Sequence, residues 1–288
     1  MMVAFAPLGI PIITKIYPLI QDYIPYVLIF FSILLIYKEN KSRVFALIIF
    51  LLSGALGIAT LNSKVSQPLF PLLSGLFGTS MLITSISAKT KIPKQKFTEV
   101  NLSKKELAKS MGSGFIASFL LGLLPGLGSS QAAVVASSYQ KKILPETFLV
   151  IVGSINTFVM IVSFLALYSI DKARSGSVVV VSKLLENFNL DHLILFLAVS
   201  LVAAGLSTIL TLKLTKIFSK LISKINYGKL CLFVIFLVTF LVIIITGWLG
   251  FFILITSTAL GLIPNLMGLQ KNHLMGCLLL PVILFFLL

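Results

Sequence analysis

The sequence predicts an all-α polytopic membrane protein. It reads as a single transmembrane domain over 1–288, with about six to eight spanning helices and one or two re-entrant or broken helical hairpins. Three observations predict this. Hydrophobic residues make up 58% of the 288-residue chain and charged residues only 11%, where a soluble domain usually carries about 25%. Apolar runs recur at 24–37, 44–61, 68–88, 112–138, 147–170, 190–212, 230–247, 249–264 and 273–288, and a spanning helix needs about 20 residues at roughly 1.5 Å each. Basic side chains gather between the runs: 17 of the 23 lie in four loops.

The opening stretch, 1–23, is apolar but carries Pro7, Pro11 and Pro18, with neither a basic n-region nor a small-residue cleavage site. It reads as a broken or interfacial segment rather than a signal peptide or an intact span. Loop 38–43 then carries Lys38, Lys41 and Arg43. In run 68–88, Gly75, Gly78, Thr79 and Ser80 suit close helix packing. The longest polar stretch, 89–110, holds Lys89, Lys91, Lys94, Lys96, Lys104, Lys105 and Lys109; Lys141 and Lys142 follow run 112–138, and loop 213–229 holds Lys213, Lys216, Lys220, Lys224 and Lys229. Lysine-rich loops of membrane proteins face the cytoplasm, so loops 89–110 and 213–229 are expected on that side of the cell membrane.

Parity then constrains run 112–138. Runs 147–170 and 190–212 already supply two crossings between loops on one side, so 112–138 contributes none, or two. The stretch breaks at Leu124–Gly128, leaving arms of 11 to 13 residues, each about 16–20 Å long, near half a bilayer. A re-entrant hairpin entering and leaving on the cytoplasmic side is therefore predicted over 112–138. Beyond it, Asn156 and Thr157 lie in run 147–170, suited either to substrate contact or to holding helices together. Asp171, Lys172 and Arg174 at its far end suit a rim, a gate or a solvated loop. Run 230–247 leads outward to Trp248, a helix-end aromatic of the interfacial kind. Residues 249–288 form a second interrupted hairpin, whose first arm ends at Ile263–Pro264 before a polar turn of Asn265, Gln270, Lys271, Asn272 and His273. Charge does not decide whether this is a hairpin from outside or two crossings. Cys231 and Cys277 stand alone in apolar surroundings and read as small core residues.

The net charge of +15 does not point to nucleic acid, because no basic stripe interleaves with stacking aromatics. Enzyme chemistry finds no footing either. No span holds an acid in its middle, no Cys/His cluster marks a metal, no cofactor motif occurs, and Ser129–Ser130 have no His/Asp partners. A lone His273 is a weak basis for a proton relay. The coupling ion, Na⁺ or H⁺, stays open.

The broken helix is where binding chemistry concentrates. Pro125, Gly126 and Gly128 build a turn at membrane depth, which is tolerated only inside protein or beside a water-filled cavity. The arm that starts near Gly128 offers free N–H groups and about half a positive charge. With Ser129, Ser130 and Gln131 beside it, that end suits a carboxylate or phosphate. The plainer alternative is that Ser129 caps its own helix and the glycines only pack. Pro264 and Asn265 mark the corresponding point of the second hairpin.

"LLGLLPGLGSSQAAVVAS" (120–137) resembles the proline–glycine motif of the large membrane subunit of tripartite tricarboxylate transporters, the TctA family. "PLFPLLSGLFG" (68–78), "SINTFVMIVSFLALYSIDKARSG" (154–176) and "LGLIPNLMGLQKNHLMGCLLLP" (260–281) resemble the archaeal-type branch of that family, whose substrate is unassigned. The likeness runs from about residue 44 to 288. It implies secondary uptake of a small anionic organic acid, working with a small membrane subunit and an extracytoplasmic binding protein and driven by an ion gradient. Family members are generally longer, with an earlier copy of the glycine–proline hairpin. The chain is thus expected to be a permease or its C-terminal half, completed by a separate N-terminal half or by homodimerisation. A translocase for a polyprenyl phosphate or another lipid carrier, and a non-transporting membrane assembly subunit, are the rival readings.

Overall fold

The computed structural model describes residues 6–90, 92–93, 102–123, 128–138, 144–173, 175–185, 187–222 and 225–288. In chain order the helices are α1 (Ala6–Gln21), α2 (Ile24–Tyr37), α3 (Arg43–Leu61), α4 (Leu69–Leu73), a π-helical turn (Ser74–Thr79) and α5 (Ser80–Ser87). There follow α6 (Lys104–Leu123), α7 (Ser129–Ser138), α8 (Pro145–Ile170), α9 (Gly176–Leu184), α10 (Leu190–Ile222), α11 (Tyr227–Met267), a 3-10 turn (Lys271–Met275) and α12 (Gly276–Leu287). No strand occurs among the described residues. Five helices are long and apolar enough to cross a bilayer, or six when the broken pair Gly9–Gln21 and Ile24–Tyr37 counts as one span. The molecule is an all-α polytopic membrane protein. It divides into two compact units, residues 1–24 with 97–213 and residues 25–96 with 214–288.

In the first unit α6 opens on a capping box. Ser103 Oγ accepts the Glu106 N–H at 3.2 Å while Glu106 Oε2 accepts the Ser103 N–H at 3.1 Å. The Ser103 hydroxyl, donating to Glu106 Oε2 at 2.8 Å, and then the Ser103 N–H hold the exposed Glu106 carboxyl below its ordinary value. The helix then turns apolar at Gly112 and packs along α8. Gly114 meets Ser154 and the Ile151 carbonyl, Phe115 meets Phe158 edge-on at 5.0 Å, and Gly122 meets Val162. Numbers rise together on both sides, so α6 and α8 run parallel. The ten-residue α7 packs on both: Ala132, Ala133 and Ala136 join Ala117 of α6 and Ile151 and Ile155 of α8 in one buried cluster. Alanines suit this seam because dispersion contact between closely approaching backbones is what holds membrane helices together.

Helix α1 is continuous through Pro11 and Pro18, and the break falls beyond it, at Asp22–Tyr23. Two prolines seven residues apart delete two backbone donors and leave the bonds between them, which a helix packed on protein tolerates. Helix α1 lies along α8, with Gly9 against Leu165 and Lys172 Nζ donating to Tyr17 Oη at 2.7 Å. Lys172, expected at a rim or in a solvated loop, ties α1 to the end of α8; Arg174 lies outside the described residues.

In the second unit the rod formed by α4, the π turn and α5 packs on the second half of α11. The 41-residue α11 is broken at Gly247, which adopts φ 69° and ψ −166°, a conformation that glycine reaches and other residues rarely do. Two arms of 20 residues result, 227–246 and 248–267, each about 30 Å long. Their outer ends meet at one end of the unit. Tyr227 and Gly228 share a cavity with Ser85 and Lys89, while Asn265 Nδ2 donates to Thr84 Oγ1 at 2.9 Å. Lys41 packs on Gly268, so the described parts of three lysine-bearing loops, after α2, α5 and α10, gather at this basic end.

Within that seam Thr79 and Thr258 hydroxyls bond at 2.6 Å, and Ser257 Oγ reaches the Pro71 carbonyl at 3.3 Å beside Gly75. Gly75, Thr79 and Ser80 of run 68–88 therefore serve helix packing, whereas a Cβ at Gly78 would meet nothing within 4 Å among the described residues. Thr258→Val should destabilise the chain by about 0.5–1 kcal/mol, the range of hydrogen bonds between membrane helices. A thermal melt in detergent equal to wild type would show that the Thr79–Thr258 bond contributes nothing.

The first arm of residues 249–288 does not end at Pro264. Proline removes one donor, to Leu260, and the helix runs on to Met267. There Gly268 takes φ 64°, and its N–H and that of Leu269 bond back to the Asn265 and Pro264 carbonyls. Helix α12 is only 12 residues long. It packs on α3, with Gly54 against Leu280, Gly57 against the Cys277 carbonyl and Gly276 against the Phe50 carbonyl. Cys231 and Cys277 are both buried.

Candidate functional site

The N-terminal end of α7 is the candidate. Its helix starts at Ser129, and Gly128 O accepts the Ala132 N–H at 3.2 Å as the first helical bond. A helix start leaves its earliest N–H groups without acceptors from the helix itself. Gly128 and Ser129 are half-buried. Pro125 and Gly126 lie outside the described residues; Ser130 and Gln131 occupy the first turn of α7, but their side chains are likewise outside what is described.

What surrounds this end is better defined. Gly122, one residue from the end of α6, lies against Val162, and α8 continues eight residues further to Ile170. The interruption between α6 and α7 therefore falls partway along a helix 26 residues long, about 12 Å short of its C-terminal end. Between Gly112 and Ser138 the sequence has no charged side chain. An anion held there would be met by helix N–H groups and hydroxyls rather than by a buried cation.

Asn156 and Thr157 are not brought onto the packed face. Ile151 and Ile155 hold α7, whereas Asn156 and Thr157 face away, exposed in the chain, with Thr157 Oγ1 donating back to the Gly153 carbonyl at 2.8 Å. In the second unit Pro264 is buried, and the Asn265 amide is engaged by Thr84 and, at 3.5 Å, by the Gly261 carbonyl.

One constellation escaped sequence reasoning. Glu39, in the loop after α2, is 6% exposed, and its Oε2 lies 2.9 Å from Nε2 of His273, which is 1% exposed. Oε2 also accepts the Gln270 N–H at 3.0 Å, and Oε1 the Lys41 N–H at 3.2 Å. Burial alone would raise the Glu39 carboxyl. The bonds from the Gln270 backbone, His273 and the Lys41 backbone outweigh that and hold it below its ordinary value. A signal was available: Glu39 is the sole acid, and His273 the sole histidine, within 25–96 and 214–288. Among the described residues no group of three or more His, Cys, Asp or Glu gathers in a way that could hold a metal ion.

Long apolar helices, one of them broken at Gly247, define a polytopic membrane protein. More narrowly, the chain belongs to the tripartite tricarboxylate transporter TctA family, whose family model matches residues 1–276. It is similar to an uncharacterised protein of Methanocaldococcus jannaschii, 28% identical over 275 residues, covering 93% of this chain and 67% of that protein. That relative agrees with an archaeal-type branch of unknown function. No solved structure matches the chain.

Proposed function

We propose that the chain is a permease component that carries a small carboxylate across the cell membrane, held at the N-terminal end of α7 by Gly128, Ser129, Ser130 and Gln131, with Pro125 and Gly126 beside them. Family membership supplies the transporter class. The observation that carries the site is the position of the interruption. Helices α6 and α8 run parallel in direct contact, α7 packs on both, and the end of α6 stops at Val162, short of the end of α8. In this reading 112–138 is re-entrant, dipping in from the cytoplasmic side and returning, while α8 crosses in full. The lysine loops 89–110 and 213–229 face the cytoplasm. A small membrane subunit and an extracytoplasmic binding protein, as in other tripartite transporters, are the partners it implies. Asn156 and Thr157, outward on α8, would meet substrate only through a further element.

The test is uptake of labelled di- and tricarboxylates into proteoliposomes. Gly128→Leu and Ser130→Ala are expected to cut uptake at least tenfold with thermal stability near wild type. Ser137→Ala, whose hydroxyl bonds the Val134 carbonyl at 2.8 Å, should keep it. Undiminished uptake in the first two would remove the site. Competition by a short-chain polyprenyl phosphate, without competition by carboxylates, would replace the substrate class.

A further inference from the structure

We propose that Glu39 and His273 form the site at which the chain binds its coupling proton, with His273 Nδ1 as the vacant position. The inference rests on the carrier reading above for its role in coupling, but not for the existence of the site. The second unit contains one carboxylate and one imidazole, 234 residues apart in sequence, and the fold buries them against each other. Elsewhere in that unit there is no acid to hold a proton.

The hydrogen bonds fix the protonation pattern. The backbone N–H groups of Lys41 and Gln270 donate to Oε1 and Oε2, and the Glu39 carboxyl lies below its ordinary value, so it is ionised and has no proton to give. Nε2 must then be the donor at 2.9 Å, and the other ring nitrogen of neutral His273, Nδ1, is a bare acceptor. Nδ1 is buried and has no hydrogen-bond partner among the described residues. An unpartnered buried polar atom costs free energy wherever it persists. Adding H⁺ there converts imidazole to imidazolium, raises the local charge by one, and breaks no existing hydrogen bond. The counter-charge is already in place.

The pair also joins elements that can respond. Ser53 Oγ on α3 donates to the His273 carbonyl at 3.3 Å, Gln270 binds Glu39, and the Lys41 side chain covers Gly268. A change of charge at the ring is thus felt by the α2–α3 loop, by α3 and by the turn between α11 and α12. The other charged groups on these elements are Lys38, Lys41 and Lys271, and Arg43, whose guanidinium stacks on Tyr37 at 4.2 Å; α12 adds the buried Cys277 thiol. No second carboxylate competes for the proton.

The chain has two histidines, His192 and His273, so the site can be read directly. Full-length His192→Gln carrying isotope-labelled histidine, in lipid nanodiscs, leaves one ring signal. Followed from pH 8 down to 5, that signal is expected to gain the imidazolium signature, and Glu39→Gln should displace the response by at least tenfold in proton concentration. A ring signal constant over that range, or one indifferent to Glu39→Gln, overturns the proposal whatever the chain carries. In proteoliposomes His273→Gln and Glu39→Gln should lose pH-gradient-driven uptake at least tenfold yet keep carboxylate exchange. Gradient-driven uptake persisting in His273→Gln overturns the coupling role. Absence of any carboxylate flux in wild type instead removes the carrier reading, and the ring signal still decides the site.

Discussion

Gly57→Leu is expected to yield a chain that elutes as aggregate or melts at least 10 °C below wild type in detergent. The reason is the kind of atom in the way. A Cβ at Gly57 runs into the backbone carbonyl of Cys277, and one at Gly276 into the backbone carbonyl of Phe50, so α3 and α12 touch main chain to main chain from both sides. Overpacking against movable side chains costs about 1–3 kcal/mol; here only separation of the helices relieves the clash, and the loss should exceed that range. Separation would also uncover Ser53 and the His273 carbonyl that it binds. Gly78→Ala makes the contrast, because nothing lies within 4 Å of a Cβ there and alanine is favoured over glycine in a helix by about 1 kcal/mol. A Gly57→Leu chain that melts like Gly78→Ala would show that the α3–α12 seam is looser than drawn.

That seam also illustrates what the sequence could and could not disclose. Hydropathy located α3, α8 and the break at Gly247 closely, because in lipid each follows from a long apolar run and its interruption. It placed the start of α6 at 112 instead of Lys104, since hydropathy reports burial in lipid, whereas helix hydrogen bonds and the Ser103–Glu106 box carry the helix beyond it. The prolines misled in a consistent direction. Pro11, Pro18 and Pro264 all lie within helices, because one missing donor is tolerable when neighbours or a glycine cap satisfy the rest.

The candidate sites divide the same way. The helix start at Gly128–Ser129 was legible because it follows from local chain chemistry. Asn156, within an apolar run, and Asn265, in a polar turn, were both candidates, yet one is exposed and the other is engaged by Thr84. Which neighbour a side chain meets is decided by packing between segments far apart in sequence. Glu39 was the extreme case: a loop acid next to lysines reads as solvated, and only the docking of the 270–273 turn makes it buried.

Glu39→Ala should accordingly cost far more than a surface charge. It leaves His273 Nε2 and the N–H groups of Lys41 and Gln270 without their acceptor, and each buried donor left unsatisfied costs about 1–3 kcal/mol. The pH dependence has a definite sign. The folded carboxyl is held below its unfolded value of 4.5, so the carboxylate contributes its stability fully above that value and loses it as pH falls through the folded one. Between pH 6 and 5 wild type should therefore melt well above Glu39→Ala, and the gap should narrow steadily below about pH 4.5. Other acids, Glu106 among them, titrate in both chains and cancel in the difference. A gap that stays constant down to pH 3.5 would mean that Glu39 acts through its bulk. A gap that closes already between pH 6 and 5 would mean that the carboxyl is raised, and with it the assignment of Nε2 as donor would fall.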